Sequence, residues 1–420
     1  MLPFSRFLTS LNAAPATAGA EQINPGRNAQ GSSMRSESPH PTHSGRYYRP
    51  ELDILRFLAF LCVFVTHRLD LARFDEGSHY WSYHISLVGV FGVPVFFLLS
   101  AFLITELLTR EREQTGKIQL GAFYLRRALR IWPLYFSVFF GLVLLTHLVP
   151  AFGCIPSETW LPFGLFAGNW YVSTHFWIPS YPVNALWSIS VEEQFYILIP
   201  LLAWFGGNRG LKIFSVACIV AAYAFIALYA SHPTAGFNSE WTNSFVHFQF
   251  FSAGILLSLF LKGRQPRMPI AIRILMAAAT LGCWLAASLV FGINADAPHL
   301  SSIPAALCGW MLVLLGAVLL LLGLLGTPDR FIPRPIVYLG RISYGLYVFH
   351  ATMYFLVYSL FKEALMRLCE SLGIGPWWGA VGMVLSLAAT IVVASLSYRY
   401  FERPFLNLKK RFTIVPSRPD

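Results

Sequence analysis

Few residues in this chain carry chemistry, and they fall in short segments. ELDILRFLAFLCVFVTHR sets Glu51, Asp53 and Arg56 at one end of an apolar run and His67 eleven residues beyond Arg56. On a straight helix that spacing is about 16 Å, so Arg56 and His67 are not a direct pair. An imidazole at position 67 can exchange protons near neutral pH and act as a general base on a hydroxyl; the plainer reading is an interfacial His beside Arg68. REREQTGKIQLGAFYLRRALRIWPLYF carries Arg126, Arg127 and Arg130, the last two on one helix face. Three guanidinium groups can clamp phosphates presented from the cytoplasm or bind lipid headgroups, and composition favours neither. NALWSISVEEQFYILIP holds the adjacent carboxylates Glu192 and Glu193, which cannot both face lipid. Such a carboxylate can orient an imidazole, bind a sugar hydroxyl, move a proton or form a structural ion pair. YLGRISYGLYVFH places Arg341 at a helix start and His350 inside an apolar stretch, as a second polar contact or a structural hydrogen bond. In GVFGVPVFFLLSAFLI, Gly89, Gly92 and Ala101 offer a small face for helix packing, and the Ser100 hydroxyl can bond a neighbouring helix or its own.

The elements that position these residues follow from composition. The 420 residues are 56% hydrophobic and 12% charged, with mean hydropathy +0.57, whereas soluble domains carry roughly 25% charge. A soluble globule is excluded, and an all-α, polytopic membrane bundle is expected. Apolar stretches long enough to cross a bilayer predict about ten transmembrane helices, near 53–71, 85–108, 131–150, 187–205, 212–230, 244–261, 272–292, 304–324, 342–361 and 377–398. The fourth opens with Ser188, Ser190, Glu192, Glu193 and Gln194, which must face the interior or water. Residues 1–49 read as a disordered cytoplasmic tail, 50–404 as the membrane domain and 405–420 as a short basic cytoplasmic tail. The outer join 151–186, rich in Trp, Tyr and Phe, reads as an aromatic belt or a partial lid.

Charge supplies the orientation. The net charge is +11, yet no polar domain exists to offer a nucleic-acid surface. With the amino terminus inside, 27 of the 31 Lys and Arg fall on the cytoplasmic side, so both termini are expected in the cytoplasm, with Lys409, Lys410 and Arg411 beside anionic headgroups. Six Cys without a CxxC argue against zinc, and no metal site is expected. Cys154 and Cys369, both assigned to outer joins, leave a disulfide open.

In order along the chain, ELDILRFLAFLCVFVTH with its Arg, ten residues, His pattern, FFLLSAFLI, the Arg126, Arg127 and Arg130 cluster, LWSISVEEQFY and YLGRISYGLYVFH resemble the landmarks of acyltransferase family 3. These are membrane enzymes that acylate sugars of envelope polysaccharides and related acceptors. The resemblance covers about residues 50–404, with departures at Ile54 and Phe57, where Gly is frequent, and at Ala101, where Ser-Gly is usual. It implies a bacterial inner-membrane enzyme with no resident cofactor and with acyl-CoA, acetyl by default, as donor. Arg127, Arg130 and in a lesser part Arg126 would meet its phosphates, with Asp53 and Arg56 organising the donor side. The acceptor would be a hydroxyl of an envelope polysaccharide, a lipid-linked sugar or a glycosylated metabolite. His67 would take the hydroxyl proton, with Glu192 or Glu193 orienting donor, acceptor or imidazole; direct transfer and an acyl-enzyme both stay open. Some relatives carry a further soluble hydrolase-like domain, whereas only 399–420 follow the last span here. The membrane unit is therefore expected to hold the whole transfer activity or to recruit another protein. The alternative reading is an exporter of an envelope glycolipid or small metabolite, with His67, Glu192 and His350 as a polar route.

Overall fold

The computed structural model describes residues 48–72, 87–233, 238–295 and 302–415, so the expected tail through residue 47 lies outside the described residues. Among the described residues there is no strand. The principal helices are α1 (Pro50–Ala72), α2 (Gly92–Thr115), α3 (Leu120–Leu148), α4 (Trp187–Ser231), α5 (Ser244–Leu261), α6 (Ile270–Leu285), α7 (Ile303–Leu324), α8 (Ser343–Phe355) and α9 (Trp378–Leu396). Turns of π-helix extend α6, α8 and α9. Seven helices among the described residues are long and apolar enough to cross a membrane. They become eight if α8 and the helix Lys362–Ser371, which meet at a 65° bend, form one broken span. The protein is a helical multi-pass membrane protein, and fewer segments pass as separate spans than the ten expected.

Two local features account for much of the difference. α1 carries Glu51, Asp53, Arg56, Arg68 and Asp70, too much charge for composition alone to mark it as a span. α4 runs through both stretches expected at 187–205 and 212–230, but Gly207 (φ 55°, ψ −152°) interrupts it. That left-handed φ suits glycine, and Arg112 donates to the Ala203 carbonyl at 3.0 Å just before the break.

Small residues let the helices approach closely. A Cβ on Gly92 would strike the Ala59 carbonyl of α1, and one on Gly254 of α5 would strike the Leu98 carbonyl of α2. α5 is buried around most of its circumference between α2 and α4. Its Phe251 ring stacks on Phe97 of α2 at 4.8 Å and on Phe195 of α4 at 4.2 Å.

Polar clasps tie the helix ends together. At one end, Arg49 forms a buried ion pair with Glu106 at 2.7 Å and donates to Gly263 O at 3.1 Å, while Glu51 accepts from Gly326 N at 3.1 Å. Tyr48 donates to Asp53 at 3.0 Å. Residues 48 and 49, assigned above to the tail, thus belong to the folded body, because Tyr48 hydrogen-bonds to an acid of α1 and Arg49 neutralises one of α2. Arg273 donates to the carbonyls of Gly323, Leu325, Gly326, Pro266 and Met268 at 2.7–3.3 Å, locking the start of α6 to the chain leaving α7. At the other end, Asn169 donates to Thr242 O at 3.0 Å, Asn238 to Asn294 O at 2.6 Å, and Trp310 to Glu240 at 2.5 Å.

The join 151–186 folds into short helices that bury Phe163, Asn169 and Val172 and expose Trp160, Leu161 and Leu165. All six cysteines are free, with Cys154 exposed and Cys369 buried in the helix Lys362–Ser371, so the disulfide left open above is not formed in this structure.

Two stability measurements follow. Arg273→Ala strips a charged donor from five carbonyls and should cost about 3 kcal/mol, read as a lower apparent unfolding temperature of the detergent-purified protein; an unchanged temperature would contradict the clasp. Glu240, in the short helix Ser239–Thr242 between apolar helices, is pushed up to about 7 by burial. Its folded form therefore keeps a proton that the unfolded chain has lost above the ordinary carboxylate range. Stability should fall as pH rises from about 4.5 to 7, by up to about 3 kcal/mol. Glu240→Gln, which still accepts from Trp310, should flatten that part of the pH profile.

Candidate active site

α3 begins at Leu120, eleven residues before the span expected at 131, so Arg126, Arg127 and Arg130 lie within the helix and not ahead of it. At 1.5 Å per residue, Arg127 and Arg130 stand about 10 and 15 Å along it. Such charges are tolerated inside the bundle because each has a specific surrounding. Arg126 pairs with Glu111 at 3.0 Å and donates to Phe412 O at 2.7 Å, which commits it to holding α2, α3 and the carboxyl-terminal segment together. Arg127 lies over the rings of Phe123 and Tyr196, at 5.5 and 5.3 Å, and among the described residues forms no ion pair within salt-bridge distance. Arg130 acts electrostatically on Glu402, a buried carboxylate that accepts from Ser397 at 3.1 Å.

The adjacent carboxylates of α4 point to different helices. Glu192 accepts hydrogen bonds from Ser100 of α2 and from Tyr196, one turn further along α4, and the two hydroxyls lie 2.6 Å apart. Glu193 accepts from Trp132 of α3 at 3.0 Å. Among the described residues, neither carboxylate hydrogen-bonds to an imidazole. One turn before Glu192 on the same helix, Ser188 bonds the Tyr347 hydroxyl of α8 at 2.5 Å.

α8 brings in the second histidine. His350 is fully buried, its Nδ1 is bonded to the Tyr347 carbonyl, and its ring centroid lies 4.8 Å from that of His67. Phe60 meets the His350 ring edge-on at 6.1 Å, and Tyr354 lies 6.4 Å from His67. The structure thus joins two residues that the sequence presents separately. A row of polar side chains runs through the bundle from Arg127 through Tyr196, Glu192 and Ser100 to Ser188, Tyr347, His350 and His67.

Asp53 and Arg56 bond each other three residues apart in α1 and stay away from His67, as their spacing requires. Arg341 ends the helix Arg334–Arg341, in which Gly340 lies so close to α1 that a Cβ would collide with the Asp53 carbonyl. Sequence reasoning missed Tyr196, Tyr347, Trp132 and Glu402. Tyr196 was within reach, since its spacing of four from Glu192 places both on one helix face. Tyr347 and Trp132 act through helices whose adjacency no periodicity reveals.

The acyltransferase family 3 profile, described as an acyltransferase domain, matches residues 49–396. The peptidoglycan O-acetyltransferase OatA of Listeria monocytogenes is 24% identical over 409 residues, 88% of this chain and 58% of that protein. A Bacillus subtilis protein, YrhL, provisionally named a peptidoglycan O-acetyltransferase, is 26% identical over 397 residues, 87% of this chain and 56% of its own length. A Staphylococcus aureus protein (strain MSSA476), provisionally named an O-acetyltransferase, is 24% identical over 396 residues, 85% of this chain and 57% of its own. The chain therefore spans less than two thirds of the length of these curated relatives. No solved structure matches. Because the profile runs from the start of α1 to the end of α9, well over half of the sequence, the chain belongs to acyltransferase family 3.

Proposed function

We propose that this protein is a membrane-bound O-acyltransferase that moves an acyl group, acetyl by resemblance, from acyl-CoA to a hydroxyl of an envelope carbohydrate such as peptidoglycan. The observation that carries this reading is the polar row linking Arg127 to the His67 and His350 pair. An enzyme whose donor arrives on one face of a membrane and whose acceptor lies on the other needs a polar path between a phosphate-binding end and a base. Arg127, stacked on aromatic faces and without a carboxylate partner at salt-bridge distance among the described residues, is free to take up a phosphate; Arg130 lies one turn on, and Arg126 braces them.

Ten crossings with both termini in the cytoplasm of a bacterial inner membrane suit this scheme. In support, Gly207 divides α4 into two arms, and Arg49, just before α1, and Glu51 of α1 bond the joins at Gly263 and Gly326, which the charge distribution also assigns inside. In the transfer step, His67 accepts the acceptor's hydroxyl proton as its oxygen attacks the thioester carbonyl. The new C–O bond forms, the C–S bond breaks, and the proton passes to the departing sulfur to give free CoA. Glu192 and Glu193 hold Tyr196, Ser100 and Trp132 along the donor's path and exchange no proton with His67.

Envelope glycans from deletion, wild-type and His67→Ala strains, compared by mass spectrometry, test the reading. An acyl mass gain is expected in wild type alone, and equal masses in all three would overturn it. Arg127→Ala should leave the protein folded and raise the KM for acetyl-CoA about tenfold, the loss of roughly 1.4 kcal/mol of phosphate binding; an unchanged KM would remove Arg127 from the donor site.

A further inference from the structure

We infer that His350 is a positioning residue for His67, an inference that rests on the acyl-transfer reading above. Its Nδ1–H donates to the Tyr347 carbonyl, and in the neutral ring that tautomer leaves Nε2 unprotonated. That Nε2 is buried and has no hydrogen-bond partner among the described residues. An orphaned acceptor inside an apolar bundle is costly and seldom kept without use. A polar group placed to reach it lies on the ring in contact with it, His67, at 4.8 Å between centroids.

A His67 N–H turned to His350 Nε2 leaves the second His67 nitrogen as a lone pair aimed away from the buried ring, where an acceptor hydroxyl can approach. His350 is fully buried and His67 only partly, so the two cannot exchange roles: the partly buried ring meets the substrate and the fully buried ring sits behind it. When His67 takes the hydroxyl proton, its new positive charge is stabilised by the N–H to Nε2 bond, which strengthens as the donor becomes cationic. His350 itself gains and loses no proton. The bond from Tyr347 to Ser188 and the edge contact of Phe60 hold the His350 ring at its angle.

Two substitutions at one position separate this role from packing. The Gln side chain ends with an amide oxygen near the place of Nε2, whereas Asn ends near Nδ1 and offers nothing beyond it. Wild type, His350→Gln, His350→Asn and His67→Ala are compared for envelope acylation at matched expression. Purified proteins are compared for acetyl-CoA binding and apparent unfolding temperature. The expected result is that His350→Asn binds acetyl-CoA and unfolds like wild type yet loses at least a hundredfold in transfer, while His350→Gln recovers to within tenfold of wild type. Full transfer by His350→Asn, equal loss in both variants, or a fall in unfolding temperature matching the loss of transfer would overturn the positioning role. These outcomes are distinct from failure of the acyl-transfer reading, in which wild type shows no acylation or His67→Ala retains it.

Discussion

A carboxylate inside a helix bundle has little water to solvate it, and the structure is organised around giving Glu192 protein donors instead. Those donors are the Ser100 hydroxyl of α2 and the Tyr196 hydroxyl of α4. Because one oxygen of Glu192 receives both, α2 and α4 cannot slide past each other by even a single residue without breaking the arrangement. The same Tyr196 presents its ring to Arg127, so α3 is placed against α4 by the residue that satisfies the acid. Glu193, about 100° around the helix, binds Trp132 and braces α3 a second time. Adjacent acids that no membrane helix could show to lipid thus become the pins that set three helices in register.

The helices were legible to the extent that lipid leaves no choice. A run of about twenty apolar residues must close its own backbone hydrogen bonds, which is why the stretch read as 244–261 coincides with α5 at both ends. Where polar residues enter a helix, hydropathy misplaces its start. α3 begins before its arginines because Glu111 of α2 and the Tyr196 ring of α4 compensate them, and those partners lie on other parts of the chain. His67 and His350 were each visible as ionisable groups in apolar surroundings. Their pairing was not, since it depends on α8 packing on α1, and nothing in the spacing of either segment specifies that neighbour.

The clasps at the helix ends follow from the same constraint in reverse. Helix termini leave carbonyl and N–H groups unsatisfied, and in short joins there is little chain to supply partners. Arg273 meets this with one guanidinium shared among five carbonyls, and Arg49 with an acid and a carbonyl at once. A planar donor with five N–H groups is the side chain that can bridge several backbone segments from one position, which lysine cannot do. These arginines therefore have two separate duties: most of the clasping is done by Arg49, Arg126 and Arg273, and Arg127 is left without a competing anion at salt-bridge distance among the described residues.

That division bears on how chemistry can cross the bundle. On the acyl-transfer reading proposed above, an unpaired Arg126 would compete with Arg127 for the donor's phosphates, and the donor would have no single seat. With Arg126 occupied by Glu111 and the Phe412 carbonyl, the proposed donor's phosphate would be drawn one residue further along α3, beside Tyr196 and hence to the start of the polar row. The row consists of hydroxyls and a carboxylate, groups that hydrogen-bond to amides more readily than they accommodate hydrocarbon. An extended arm with amide groups fits such a lining, and its far end then arrives where α1 and α8 bring two imidazoles together. On the acyl-transfer reading proposed above, the length of the row, set by Glu192 holding α2 and α4 in register, would also set the distance over which an acyl group is carried.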